Sequence, residues 1–188
     1  PAVPIVQKGE HVLAGQRIGE ASAFVSAHIV SSVSGTVKAI EPRPTAAGTL
    51  AQAVVITPDA ENVLAEGIGE KTHYLDLTNQ EILERIKAAG IVGMGGAGFP
   101  THVKLTVKEP NKIRYIIANG AECEPYITCD DQLMRSCAQE IVEGMDIILR
   151  LFPQAKGVVC IENNKPAAIA AMKAACTDHD RISVMPMK

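Results

Sequence analysis

The sequence predicts an α/β chain in two parts, a module of short β-strands followed by an α/β layer with parallel strand pairing. Residues 1–58 are brief apolar runs separated by glycine turns, with no helical period. From residue 78 onward, strand-like runs alternate with runs whose apolar residues recur at helical spacing. Residues 59–77 fit neither rhythm and read as a linker. Composition agrees: at 47% hydrophobic and 21% charged, the 188 residues are too apolar for disorder. Aromatic residues are only 3% and Trp is absent, so the core must be built from Val, Ile, Leu, Ala and Met.

In the first part, Lys8-Gly9-Glu10 and Ala14-Gly15-Gln16 are turn signals. Val30 to Val37 alternates small polar and apolar residues around Gly35, and Val54-Val55-Ile56 is a further strand. Many short strands predict a compact β-barrel or sandwich. The second part opens on Thr78-Asn79-Gln80-Glu81, a capping box in which Thr78 and Glu81 satisfy each other's free backbone donors. Ile82, Leu83, Ile86 and Ala89 then share one helical face, and Gly90 closes the helix. Ile113 to Ile117 reads as a strand. Asp130 to Phe152 reads as one long helix, with Leu133, Cys137, Ile141, Met145, Ile148 and Phe152 facing inward. Gly157 to Ile161 is a strand, Pro166 to Ala175 an Ala-rich helix with Pro in its first turn, and Ile182 to Met185 a last strand.

A net charge of −3, with no basic patch interleaved with aromatics, gives no reason to expect a nucleic-acid partner. Apolar stretches such as Gly157 to Ile161 are far too short to cross a bilayer, and no basic leader precedes an apolar run. The expectation is a chain with neither a transmembrane segment nor a secretory signal. Five cysteines, Cys123, Cys129, Cys137, Cys160 and Cys176, show no pairing rhythm and predict reduced thiols and a cytoplasmic setting. There is no Cys-x-x-Cys, so neither a zinc ribbon nor a complete iron–sulfur motif is present, and no metal ligand is expected. Each cysteine reads as a small buried hydrophobe except Cys123, which sits in a polar loop.

The chemistry concentrates in Gly93-Met94-Gly95-Gly96-Ala97-Gly98-Phe99-Pro100. Gly93, Gly95 and Gly98 match G-x-G-x-x-G, a weak signal alone. Density strengthens it: four glycines in six residues strip the Cβ atoms from one side, so backbone N–H groups can approach a phosphate or a flat ring. Pro100 and Thr101 suit the first turn of a helix, whose N-terminus favours an anion, and Lys104 follows one turn later. An ordinary dinucleotide fold needs a full strand before the first glycine, and here only Ile91-Val92 separate it from the preceding helix. The loop is therefore expected to bind a nucleotide, a flavin or a nicotinamide one, in a different setting.

A second polar cluster, Asn119-Gly120-Ala121-Glu122-Cys123-Glu124-Pro125, follows directly on the strand ending at Ile117-Ala118. Ligands of open α/β sheets sit beyond the carboxyl ends of strands, so this loop is placed like a site wall. Its carboxylates, Glu122 and Glu124, would repel a phosphate and suit ribose or ribityl hydroxyls or the polar edge of a ring.

Taken together, the two loops resemble the flavin loops of the NADH-oxidising subunit of respiratory complex I. The run Asn119 to Thr128, with Ile161-Glu162-Asn163-Asn164-Lys165-Pro166, is closer still to the C subunit of the Rnf electron-transport complex, and the resemblance runs over most of the chain. It implies a barrel-sandwich-hybrid β module over 1–58, a linker over 59–77 and a complex I flavoprotein-like, Rossmann-like FMN- and NADH-binding domain over 78–188. It further implies a subunit peripheral on the cytoplasmic face of the cell membrane, exchanging electrons between NAD(H) and ferredoxin in a complex coupled to ion translocation. Its partners are then the other subunits of that complex and a ferredoxin-like iron–sulfur subunit. The implied cofactors are FMN and NAD(H), with two 4Fe-4S clusters whose ligands lie outside this chain.

By the same resemblance, Gly93, Gly95, Gly96 and Gly98 cradle the flavin, Lys104 meets its phosphate, and Asn119, Glu122 and Glu124 line the flavin, the two glutamates on the hydride-transfer side. Where the complex I protein has an acidic residue, this chain has Ala121. The resemblance also places a later flavin-contacting loop beyond Lys188, so this stretch alone is expected to bind FMN weakly or not at all and to be inactive. A structural or docking role within the complex is the alternative.

Val6-x-x-Gly9-x-x-Val12-x-x-Gly15-Gln16 with Ser34-Gly35-Thr36-Val37 resembles biotinyl and lipoyl carrier modules. Such carriers need an exposed Lys on the hairpin between these motifs. Ala21 to Ser34 has none, so a swinging-arm role is excluded by chemistry. A docking or bracing module remains.

Overall fold

The computed structural model describes residues 2–94 and 98–188. It divides into two compact units, residues 1–106 and 107–188.

Two antiparallel sheets form the first unit. One has the order β1 (Ala2–Pro4), β3 (Arg17–Ala21), β4 (Ile29–Val30); the other β2 (His11–Val12), β5 (Gly35–Pro44), β6 (Leu50–Pro58). The long hairpin β5–β6 pairs Gly35 with Pro58 and Pro44 with Leu50, with a register shift between Val37 and Ala39. Alternation turns Val12, Ile18 and Val37 inward from β2, β3 and β5, and with Val6 beyond the end of β1 they form a core against which Ile40, Val54 and Ile56 pack. This is the barrel-sandwich arrangement expected from the glycine-punctuated sequence. The polar turn between β4 and β5 is buried too: Ser34 is 1% exposed, donates its N–H to Asn62 Oδ1 at 2.7 Å and accepts the Val63 N–H at 2.9 Å. Ala14 exchanges backbone hydrogen bonds with Val63 and Ala65. The start of the linker-like stretch is thus tied to the module, through partners too distant in sequence for local composition to reveal.

Helix α1 (Asn79–Ala88) begins with the expected capping box, Glu81 N–H donating to Thr78 Oγ1 while Thr78 N–H donates to Glu81. Ile82 is buried, Leu83 and Ile86 are half-buried, and Ala89 is exposed. Gly90 ends the helix at φ +67°, with the His28 carbonyl where a Cβ would stand. Helix α2 (Thr101–Leu105) follows, burying His102 and Leu105 and exposing Lys104. Helices α1 and α2 both belong to the first unit.

His28 and His102 are both buried there. His28 Nδ1 accepts the Ala21 N–H at 3.2 Å, so that nitrogen carries no proton. Burial, with the nearby Arg17 and Lys87 charges, lowers the His28 pKa, Glu20 opposing; burial, Lys87 and His28 lower that of His102. The folded state therefore binds fewer protons than the unfolded chain. This contribution to stability is complete above the ordinary imidazole value near 6.5 and is lost as pH falls through the lower folded values. Unfolding midpoints should fall between pH 7 and 5, and His28→Asn, which keeps an acceptor, should flatten that slope.

The second unit is a parallel sheet in the order β7 (Tyr115–Gly120), β8 (Lys156–Glu162), β9 (Ile182–Met187). Helices α3 (Cys129–Ser136) and α4 (Ala138–Leu151) connect β7 to β8, and α5 (Pro166–Ala175) connects β8 to β9. The strand expected at Ile113 begins at Tyr115 and runs on through Asn119 and Gly120. The single long helix expected over 130–152 is broken at Cys137, whose backbone sits at φ −130°, ψ 35°. The Ser136 hydroxyl donates to the Gln132 carbonyl at 2.8 Å, a back-bond that competes with continued helix. Met145 and Phe152 are buried as expected, but the break brings Met134, Val142, Leu149 and Leu151 inward and leaves Leu133 50% exposed. Among the described residues no helix is long and apolar enough to cross a membrane.

Candidate functional site

The glycine loop is closed at its neck. Gly93 N–H donates to the Phe99 carbonyl at 3.0 Å, Gly98 N–H to the Gly93 carbonyl at 3.1 Å, and Thr101 N–H to the Ile91 carbonyl at 3.0 Å. Val92 and Pro100 form an isolated antiparallel bridge. A strand before the first glycine is indeed missing, and these cross-loop bonds hold the loop ends instead. Gly98 is exposed at φ +63°, with open space where a Cβ would stand, so its backbone is accessible to a ligand. Gly95 and Gly96 lie outside the described residues. Lys104 is exposed on α2, while His102 on the same short helix faces inward.

In the second unit, the loop after β7 sorts its two carboxylates into different environments. Glu122 is 7% exposed and caps α3: its carboxylate accepts the Asp130 N–H at 2.9 Å, the Asp131 N–H at 3.3 Å and the Cys129 thiol at 3.2 Å. Lys165 Nζ stands 4.0 Å away. The Asp130 N–H above all, then the thiol, the second N–H and the lysine charge, hold Glu122 below the usual carboxylate range against the cost of burial. The same carboxylate pushes the Cys129 thiol up. Glu124, two residues on, is exposed. Asn119 is exposed as well, its Oδ1 accepting the Ala121 N–H at 3.1 Å in a tight local turn.

Next to them a hollow of about 160 Å³ is lined by Ala118, Asn119, Gly120, Asp130, Leu133 and Met134, among others. It lies at the carboxyl end of β7, where an open sheet offers a ligand site. Glu122, Cys129 and Asp130 are close enough to share a cation, but the capping bonds already engage the Glu122 carboxylate. Cys160 and Cys176 are buried as small hydrophobes; Cys123 and Cys129 are exposed.

Two residues that hold the second unit together carried little signal in the sequence. Lys165 sits in the Ile161 to Pro166 run, and only the fold brings it to Glu122. Arg181, an unremarkable charge before β9, donates to the carbonyls of Leu149, Phe152 and Ala155.

Comparison with known proteins matches two family models in succession along the chain. Residues 86–188 match the family described as the Nuo51 FMN-binding domain, and residues 1–61 match the RnfC barrel sandwich hybrid domain. The chain is 41% identical over 184 residues to the C subunit of the Na(+)-translocating ferredoxin:NAD(+) oxidoreductase complex of Acetobacterium woodii, covering 98% of this chain and 42% of that protein. It is 45% identical over 175 residues to the C subunit of the proton-translocating ferredoxin:NAD(+) oxidoreductase complex of Clostridium ljungdahlii, covering 93% and 38%. With the C subunit of the ion-translocating oxidoreductase complex of Pseudomonas aeruginosa it shares 42% identity over 191 residues, covering 100% and 24%. The chain thus spans less than half the length of these relatives. With a match to the RnfC barrel sandwich hybrid domain leading into one to the Nuo51 FMN-binding domain, and with these relatives along nearly its whole length, the chain belongs to the RnfC family.

Proposed function

We propose that this chain is the flavin- and NAD(H)-binding part of a membrane-associated complex that passes electrons between NAD(H) and ferredoxin and couples this to ion translocation. The match of residues 86–188 to an FMN-binding domain carries the reading. The relatives' names support its finer parts, the nicotinamide and ferredoxin partners and the ion coupling. In the first unit Gly98 has an open backbone and Lys104 an exposed cation suited to a phosphate; in the second, Asn119 and Glu124 are exposed polar groups. When bound, FMN would take an electron pair from NADH and release electrons singly to iron–sulfur clusters, or the reverse.

Within this reading the two glutamates divide their work. Glu124 is the carboxylate available to the nicotinamide or ribose. Glu122 is a positioning residue that holds the start of α3 and the loop shape through the Asp130 and Asp131 amides. The protein sits peripherally on the cytoplasmic face, against other subunits of the complex and an iron–sulfur partner.

Fluorescence titration of full-length apoprotein with FMN tests the reading, since a cofactor that binds the folded state must also raise its melting temperature. Lys104→Ala should weaken FMN about 10-fold, the order of one charge-assisted phosphate contact. Glu124→Gln should raise KM for NADH with FMN retained. Full-length protein that neither binds FMN nor is stabilised by it would leave only a structural role.

A further inference from the structure

Within the first unit, the loop joining β3 to β4 lies against the glycine loop. Three observations place it there. The His28 carbonyl occupies the space beside Gly90 where a side chain would start. His28 and His102 are both buried, and His28 is close enough to help lower the His102 pKa. Finally, a cleft of about 430 Å³ is lined from one side by Val25, Ser26 and Ala27, and from the other by Val92, Gly98 and Phe99. Val25 is 57% and Phe99 40% exposed, while Ser26 is 7% exposed. Exposed apolar side chains facing each other across a cleft are what a ligand, rather than water, would cover.

The chemistry of the lining selects which part of a ligand fits. Among the described lining residues none carries a charge, so a phosphate gains nothing there. Apolar walls with one hydroxyl and an open glycine backbone suit the apolar end of a flat fused ring. Its lining residues Val92, Gly98 and Phe99 belong to the stretch matching an FMN-binding domain.

We propose that the β3–β4 loop of the barrel module, through Val25, Ser26 and Ala27, is a wall of the flavin cleft and contacts the apolar end of the isoalloxazine ring. The module then contributes to cofactor binding itself. The hairpin that carries the attachment lysine in carrier modules here presents an apolar wall. The inference rests on the flavin reading of the glycine loop.

The test is FMN and NADH titration of the full-length protein and two variants. Ala27→Phe adds bulk inside the cleft, and Ala46→Phe adds the same bulk at the exposed β5–β6 turn of the same module. FMN affinity should fall at least about 10-fold in Ala27→Phe and stay at the wild-type value in Ala46→Phe. Wild-type FMN affinity in a folded Ala27→Phe overturns the inference and leaves the flavin reading intact. A loss confined to NADH overturns the flavin as occupant. Absence of FMN binding by the wild type overturns both. Should Ala27→Phe not fold, amide hydrogen exchange of the wild type decides: FMN should slow exchange across residues 22–28, and unchanged exchange overturns the proposal.

Discussion

Gly90→Ala should destabilise the protein by about 2–4 kcal/mol, whereas Gly144→Ala should stabilise it by about 0.5–1 kcal/mol. The opposite signs come from surroundings alone. Gly90 holds φ +67° at the end of α1, and an added Cβ would meet the backbone carbonyl of His28, which cannot swing aside as a side-chain end would. Gly144 lies inside α4 with nothing within 4 Å of its added Cβ, so Ala gains helix propensity at no steric cost. Urea unfolding of both variants checks the pair. A neutral Gly90→Ala would mean that α1 does not close against the β3–β4 loop as described. Because Gly90 stands at the entrance to the glycine loop, its variant should also weaken FMN in the full-length protein.

Arg181→Ala is the second large effect, a loss of about 2–3 kcal/mol. The Arg181 guanidinium reaches the Phe152 and Ala155 carbonyls at 2.8 and 2.7 Å and the Leu149 carbonyl at 3.2 Å. These are carbonyls at the end of α4 and of its link to β8, where Leu149 and Phe152 otherwise accept only the Phe152 and Ala155 N–H groups. One planar fork therefore ties the end of α4 to the start of β9, and its positive charge complements the helix C-terminus. Removing it strips the buried Ala155 carbonyl of its guanidinium donors and leaves the Leu149 and Phe152 carbonyls with one backbone donor each. Lysine cannot reproduce the fork with a point charge, so Arg181→Lys should recover only part of the loss. Recovery to wild type by lysine would show that charge, and not the three-carbonyl geometry, matters here.

The legibility of the fold follows the range of the interactions involved. The capping box at Thr78 and Glu81, the Pro166 start of α5 and the glycine turns at Gly9 and Gly15 all depend on neighbours within four residues, and the structure contains each of them. The alternation of strands with helices likewise implied the parallel β7–β8–β9 sheet. The break at Cys137 was not legible, because apolar spacing continues across it and the competing Ser136 hydroxyl looks like any surface serine. The buried Ser34 read as an ordinary turn residue, since its partners lie at Glu61, Asn62 and Val63.

The candidate site divides in the same way. The sequence by itself determined that no full strand precedes Gly93, that a helix starts near Pro100 and Thr101 and carries Lys104, and that Asn119 to Pro125 stands at a strand end. These follow from local apolar rhythm and turn residues, which the sequence states outright. Only the tertiary structure decided that Glu122 turns inward to cap α3 beside Lys165 while Glu124 stays exposed. Only it brought the β3–β4 loop of the barrel module to the cleft beside Gly98. The physical reason is that burial and charge pairing are set by groups distant in the chain, and two glutamates two residues apart are chemically alike until the fold gives one of them its amide donors.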